Sequence, residues 1–338
     1  MNDRYSRQIL FSAIGEAGQT KIRDKHVLVL GAGALGSSIA EMLVRAGIGK
    51  LTLIDRDYVE FSNLQRQHLY TEADASNKLP KVIAAERRLR EINADVKIEV
   101  HLTDADAERL EALAPGADLI LDATDNFETR MILNDISQKY QVPWIYGACV
   151  GGVGMSFTII PKVTSCLNCL LKTIPLQGMT CDTGGIISPA VQMVVAHQVA
   201  EAMKILVEDF DAVRDTYVFF DLWHNEYQAI AAKARRQDCL SCGTAPTYPF
   251  LDRENVSKVA VLCGRDSVQV RPREAMKLDF KKLSSVLEAI GYQVTANPFL
   301  LSAEKDHERI VFFQDGRALV HGQKDIAKAR AIYQRILG

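Results

Sequence analysis

Two cysteine pairs carry the most specific chemistry in this chain. Cys166-Leu-Asn-Cys169 and Cys239-Leu-Ser-Cys242 share the Cys-x-x-Cys spacing. Four thiolates in two such pairs suit tetrahedral Zn²⁺ and leave no position open for a catalytic water. The long separation between the pairs makes such an ion a staple between distant segments, structural rather than catalytic. A redox Cys-x-x-Cys is the competing reading, and the presence of two pairs weighs against it. The second group is the glycine set Gly31, Gly33 and Gly36 within VLVLGAGALGSSIAEMLVRAGIGKLTLID, residues 27–55. It fits G-x-G-x-x-G between an apolar run and an amphipathic segment. Glycines are needed there because the turn is tight, a phosphate chain approaches the backbone, and helix packs closely on strand. The helix N-terminus then offers unpaired N–H groups and its positive dipole end to the phosphate. Asp55 closes the following strand at a distance suited to a ribose hydroxyl. Alone, this is an adenine-nucleotide signature with NAD as its default ligand.

The residues after Asp55 move the balance towards ATP. Residues 57–79 show little periodicity and many polar groups, which reads as a long loop, and such loops in compact domains are usually functional or disordered. The segment carries Asn63, Gln65 and Arg66; Lys81 follows at the start of a helix, with Pro80 suited to the first helical position. Cations of this kind offset the charge that builds up when a phosphoryl centre is attacked. A further strand over 118–123 ends in Thr124-Asp125-Asn126, before a helix bearing Arg130. Ligands of open α/β sheets collect at the carboxyl ends of strands, which puts Asp125 where a Mg²⁺ ligand is needed. Capping the helix is the other role open to Asp or Asn here, and the two neighbours can divide the roles. Cys181 stands in a polar loop, Met-Thr-Cys-Asp-Thr-Gly-Gly, where an accessible, nucleophilic thiol competes with a plain packing role. Cys149 and Cys263 have apolar surroundings and read as packing residues. Taken alone, Arg4 and Arg7 read as the solvated face of a short helical arm over residues 4–22.

The elements that must position these groups alternate strand and helix. The pattern predicts an α/β fold, a Rossmann-like, mostly parallel twisted sheet with helices on both faces. Strands fall at 97–100, 118–123 and 142–146, and residues 147–161 add strand past the parallel part. A helix over 186–207 is apolar but interrupted by Gln192, His197, Gln198, Glu201 and Lys204, which fits a buried core helix rather than a membrane span. Strands at 216–221 and 226–231 precede the second cysteine pair, 244–251 reads as a linker, and a small α+β module follows from 259. The division expected is 1–246 and 247–338. With 48% hydrophobic and 24% charged residues the composition is that of an ordinary globular protein. A net charge of −2 lacks the basic excess of a nucleic-acid binder. The start, MNDRYSRQ, has no apolar stretch of a secretory signal, so a cytoplasmic location is expected, where disulfides are disfavoured.

From about residue 5 to residue 243 the chain resembles the ThiF/MoeB adenylyltransferases, bacterial relatives of the ubiquitin-activating enzymes. The resemblance rests on Arg4-Tyr-Ser-Arg-Gln8, Gly31-x-Gly-x-x-Gly36, Asp55-Arg-Asp57, Ser62-Asn-Leu-Gln-Arg66, Lys81, Thr124-Asp-Asn126 with Arg130, and the two cysteine pairs. It implies an enzyme that binds ATP–Mg²⁺ and adenylates the C-terminal glycine of a small β-grasp sulfur-carrier protein, releasing pyrophosphate. The carrier would serve thiamine-thiazole or molybdopterin synthesis. It also implies roles: Asp55 holds the ribose, Asn63, Arg66 and Lys81 contact the phosphates, Asp125 ligates Mg²⁺, and Asn126 lines the same site. Arg7 resembles the arginine that such homodimers lend to the neighbouring subunit's ATP. Cys181 stands where several members carry a loop cysteine that joins covalently to the carrier during sulfur transfer. Ala34 departs from the family, where many members have a further glycine. The tail after Pro246 is extra and lacks the length of a fused rhodanese domain, although Cys263-Gly-Arg resembles a rhodanese loop superficially; a separate sulfur donor is expected. Two other readings compete, an NAD-dependent oxidoreductase on the same glycine turn and a non-catalytic, zinc-stapled scaffold for a β-grasp partner. The polar stretch from Asn63 to Lys81 argues against both.

Overall fold

Apolar runs four to six residues long make the strands at the centre of this chain, and amphipathic segments between them make its helices. The computed structural model describes residues 3–173, 184–252, 259–262, 267–272, 276–306, 308–323 and 325–337. Eight strands form the first sheet: β1 (His26–Leu30), β2 (Lys50–Asp55), β3 (Lys97–Leu102), β4 (Leu119–Asp122), β5 (Trp144–Val150), β6 (Val153–Ile159), β7 (Thr216–Asp221) and β8 (Glu226–Ala231). Their order is β3-β2-β1-β4-β5-β6-β7-β8. Pairing is parallel from β3 to β5 and antiparallel from β5 to β8.

Burial on both faces explains why β1 reads as an unbroken apolar run rather than an alternating one. Val27 and Val29 face one core, together with Ile39 and Leu43 of the helix Ala34–Ala46 and Val191, Val194 and Val195 of the helix Ser188–Leu206. Leu28 and Leu30 face the other, with Ile132, Leu133 and Ile136 of the helix Phe127–Tyr140. Within Ser188–Leu206 the buried Gln198 donates from Nε2 to the Asp122 and Ile145 carbonyls at 2.8 and 3.1 Å, so its polar group serves the sheet beneath it. Among the described residues no helix is long and apolar enough to cross a membrane.

Four local expectations are corrected. The stretch 57–79 is not an unstructured loop; it holds a 3₁₀ turn, Phe61–Asn63, and a short helix, Glu72–Ser76. Both are single turns held by reciprocal caps, Glu60 with Asn63 and Thr71 with Asp74, and elements that short leave no periodicity to read. Pro80 lies just before the helix Lys81–Ile92, in extended conformation, rather than inside its first turn. β5 runs on to Val150, and the chain reverses at Gly151 (φ +61°) and Gly152. The supposed linker packs down instead of spanning open solvent: Phe250 and Leu251 pack against the core, and the Phe250 amide donates to Asp135 Oδ2 at 3.0 Å.

The described residues up to 252 form one compact unit and those from 259 onward a second. The second has six antiparallel strands, β9 (Val259–Leu262), β10 (Ser267–Val270), β11 (Gln293–Ala296), β12 (Leu300–Lys305), β13 (Glu308–Phe313) and β14 (Ala318–His321), in the order β11-β12-β13-β14-β10-β9. β13 and β14 form a hairpin turned at Gly316 with φ +85°. Helices Phe280–Ala289 and Ile326–Leu337 add Leu283, Leu287, Ala329 and Tyr333 to its core.

Candidate active site and cysteine cluster

The three glycines at the end of β1 do three different jobs. Gly31 has φ +97°, and a Cβ there would stand 2.5 Å from the Ala123 carbonyl oxygen. A Cβ on Gly36 would stand 1.8 Å from the Gly31 carbonyl oxygen, so the helix sits directly on the turn. Gly33 precedes Ala34–Ala46 as its N-cap, and a Cβ there would meet only Gln67 Nε2, at 3.9 Å. Two glycines therefore allow close packing, and the third keeps a space open in front of a helix N-terminus. That space suits a phosphate chain.

Acidic and basic groups gather around this turn. Asp55 is half-buried; its Oδ2 accepts from the Ala32 amide at 2.7 Å and its Oδ1 from the Asp57 amide at 2.6 Å. Burial pushes the Asp55 carboxyl above its ordinary value; Lys81 pulls against that shift and Asp57 adds to it. Lys81 is 4% exposed and sets its Nζ 3.1 Å from Asp57 Oδ2. Asn63 is buried and accepts the Glu60 amide at 3.1 Å, while Arg66 donates to the Ser62 carbonyl at 2.9 Å. The amides of Arg66 and Gln67 both donate to the Asn63 carbonyl, so these residues share one turn that leans on Gly33. Past β4, Asn126 is the N-cap, accepting the Thr129 amide at 2.8 Å, and Asp125 is exposed beside it. Of the two roles open to this pair, the helix cap falls to Asn126.

One expected site residue, Arg7, stands apart. Arg7 is exposed on the helix Ser6–Ile9, and its neighbour Gln8 donates to the Ala46 carbonyl at 3.0 Å. Ala46 ends the helix that Gly33 begins, and 13 residues at 1.5 Å each put the arm about 20 Å from the glycine turn of its own chain. Cys181 lies outside the described residues, as does Cys263. Cys149 is buried, in keeping with a packing role.

Several positioning groups were given no role by the sequence. The buried Arg130 donates from Nε to Asp122 Oδ2 at 2.9 Å and from Nη2 to the Thr124 and Gly147 carbonyls at 2.6 and 3.1 Å. Burial works most strongly against this guanidinium's charge, but Asp122, Tyr146 and Asp125 together outweigh it and the pKa is raised. Asp122 Oδ1 in turn accepts from the Thr124 amide and hydroxyl, so one ion pair fixes the loop that ends in Asp125. Tyr70 donates to the Ala32 carbonyl at 2.6 Å and steadies the glycine turn from behind. Arg56 pairs with the buried Asp104 at 2.7 Å. An arginine eight residues after a strand-ending aspartate was visible for Arg130; no spacing could have singled out Tyr70.

The four paired cysteines converge. Cys166, Cys169, Cys239 and Cys242 are all buried, with their sulfurs within 4.8 Å of one another and two of the separations at 3.6 Å. A tetrahedral ion with Zn–S about 2.3 Å needs S···S near 3.8 Å, so the donor set fits Zn²⁺. The Arg236 amide donates to Cys169 Sγ at 3.4 Å, and a Cβ on Gly243 would stand 2.5 Å from the Cys239 carbonyl oxygen. The second pair therefore lies in a turn that only glycine can close.

The chain matches the ThiF family over residues 5–241. It is 50% identical to the sulfur carrier protein ThiS adenylyltransferase of Bacillus subtilis (strain 168), over 100% of both chains. The Escherichia coli (strain K12) sulfur carrier protein ThiS adenylyltransferase is 34% identical, over 74% of this chain and 100% of that one. The adenylyltransferase and sulfurtransferase MOCS3 of Anopheles gambiae is 34% identical over 73% of this chain but only 56% of its own length. Among solved structures, E. coli MccB with ATP is similar in fold, with a TM-score of 0.61 and 23% identity over 72% of this chain and 75% of that one.

Proposed function

The chain belongs to the ThiF family, and on that premise we propose that it adenylates the C-terminal glycine of a small β-grasp sulfur-carrier protein with ATP. The carrier's carboxylate attacks the α-phosphorus, the bond to the bridging oxygen of the leaving pyrophosphate breaks, and an acyl-adenylate forms. One observation carries the reading: the space over Gly33 is open at a helix N-terminus, with Lys81 and Arg66 held in the adjoining segment. In this account the glycine turn cradles the triphosphate and Asp55 accepts a ribose hydroxyl. Asn63, Arg66 and Lys81 meet the phosphates, and their charge and N–H groups offset what builds up at phosphorus. Asp125 is the candidate ligand for Mg²⁺, which when bound would screen the phosphate charge; Asn126 lines the same site while capping its helix.

Further parts of the proposal rest on the family. Arg7, on its exposed arm, serves the ATP of a second copy in a homodimer. Cys181 is the candidate for the loop cysteine that several members use when sulfur passes to the carrier from a separate donor. The cysteine cluster holds one structural Zn²⁺. Residues 1–246 carry adenylation and 247–338 form an added module. The full-length match to the B. subtilis protein favours a ThiS-type carrier, and thiamine-thiazole synthesis, over a MoaD-type one. Carrier-dependent exchange of pyrophosphate into ATP, run with each purified carrier, tests this. Exchange with the ThiS-type carrier is expected, and exchange with neither carrier overturns the proposal.

A further inference from the structure

Gln67 is a buried amide whose orientation the protein's own packing does not explain. The side chain is 4% exposed, and among the described residues its Oε1 has no hydrogen-bond partner. A phosphate cannot be that oxygen's partner, since both only accept, so the oxygen shows only which end of the amide is turned inward. The other end of the amide is not turned inward. Its Nε2 lies 3.9 Å from where a Cβ on Gly33 would stand, and apart from Gly33 and its chain neighbours nothing else among the described residues comes within 4 Å of that point. Gln67 is also held firmly in place. Its amide donates to the Asn63 carbonyl at 3.0 Å, its carbonyl accepts from Tyr70, and Tyr70 is tied to Ala32 of the glycine turn.

We propose that Gln67 is a phosphate-binding residue: its carboxamide Nε2 donates to a phosphate oxygen of the nucleotide lodged over Gly33. This rests on the nucleotide reading above and adds a recognition residue to it. A phosphate is acceptor-only, so of the two ends of the amide only the N–H₂ can meet it, and that is the end facing the open space. The helix N-terminus supplies donors from one side and Gln67 a neutral donor from the other. The cations Arg66 and Lys81 remain for the charge that changes during reaction. Gln67 thus recognises the phosphate chain in ground state and transition state alike, and its loss raises KM rather than lowering kcat.

The test uses the full chain with three variants, Gln67→Ala, Gln67→Met and Gln67→Glu, and follows ATP, AMP and adenosine binding alongside carrier-dependent pyrophosphate exchange. Gln67→Met keeps the volume and removes the buried unpaired carbonyl, so it should melt no lower than the parent chain. KM and Kd for ATP should rise about tenfold in Gln67→Ala and Gln67→Met, with adenosine binding and the KM for carrier unchanged. Gln67→Glu places a carboxylate against the phosphates and should lose about tenfold more than Gln67→Ala. ATP affinity within twofold of the parent in all three variants overturns the assignment, as does equal weakening of ATP and adenosine. A parent chain that binds no ATP would bring down the nucleotide reading and this assignment together; a parent that binds ATP beside unaffected variants brings down the assignment alone.

Discussion

The glycine-turn end of the parallel strands and the cysteine cluster are both places where distant segments meet, and they are built on opposite plans. At the cluster four side chains of one type turn inward until all are buried, their sulfurs at the spacing one ion requires. At the glycine turn, charges of both signs stand around a space that Gly33 keeps open, and one buried amide oxygen is left without a partner. The closed site turns all four cysteines away from solvent. The open one holds cations and a helix N-terminus around a space that a ligand can enter.

Predictions that separate the two regions differ in which readout they move. The largest concerns the cluster: Cys166→Ser or Cys239→Ser should drop the bound zinc from about one equivalent to none and lower the melting temperature by about 10 °C or more. Metal analysis with thermal melting checks it; metal-free protein that melts like the parent would remove the staple from the account. Next comes Lys81→Met, which should cut pyrophosphate exchange about a hundredfold or more. It should also destabilise the fold by about 3–5 kcal/mol, since Asp57 loses its ammonium. Adding Asp57→Asn should restore much of the stability, read by urea unfolding, and none of the exchange.

The glycines give a sharper pair. Gly36→Ala drives a Cβ into the Gly31 carbonyl and should cost folding stability and ATP binding together. Gly33→Ala has room for its Cβ, so it should shift stability by no more than about 1 kcal/mol while weakening ATP binding. If the two variants behave alike in both urea unfolding and ATP titration, the space over Gly33 is not the phosphate site.

The smallest effect is at the amino end of the same strands. His26 sits between the Gly116 carbonyl, 2.5 Å from Nδ1, and Thr52 Oγ1, 2.8 Å from Nε2. Burial, aided by Lys50, lowers its pKa below 6.5 despite the hydrogen bond to Gly116. The unfolded chain therefore takes up this proton first. The stability associated with neutral His26 is fully present above about pH 6.5 and is lost as the pH falls towards the folded-state value. His197, lowered by burial and by Arg214, acts in the same direction. Melting between pH 7.5 and 5.5 should show a decline that His26→Asn reduces by about 1–2 °C, with exchange activity at pH 7.5 unaffected.

What was legible in the sequence follows from how each feature is encoded. Strand–helix alternation gave the sheet because β1, β2 and β4 are apolar runs buried on both faces, and the cysteine pairs gave the cluster because metal ligands need fixed spacing. The single-turn elements within 57–79 were missed because caps and tertiary bonds hold them, such as the Lys81 amide donating to the Asp57 carbonyl at 2.9 Å. Gln67, Tyr70 and the Asp122–Arg130 pair were not assigned roles, since their importance comes from what lies across from them in space. Gln65, singled out among the loop's polar residues, is exposed, and the amide aimed at Gly33 is two residues further on.

The central claim is that the carboxyl ends of β1, β2 and β4 form an adenylation site. The most direct test is carrier-dependent ATP–pyrophosphate exchange in the parent chain and in Arg66→Ala, Lys81→Met and Asp125→Ala, with each variant's folding checked by melting. The account predicts exchange with a ThiS-type carrier in the parent and a loss of about a hundredfold or more in each folded variant. Undiminished exchange in all three would contradict it.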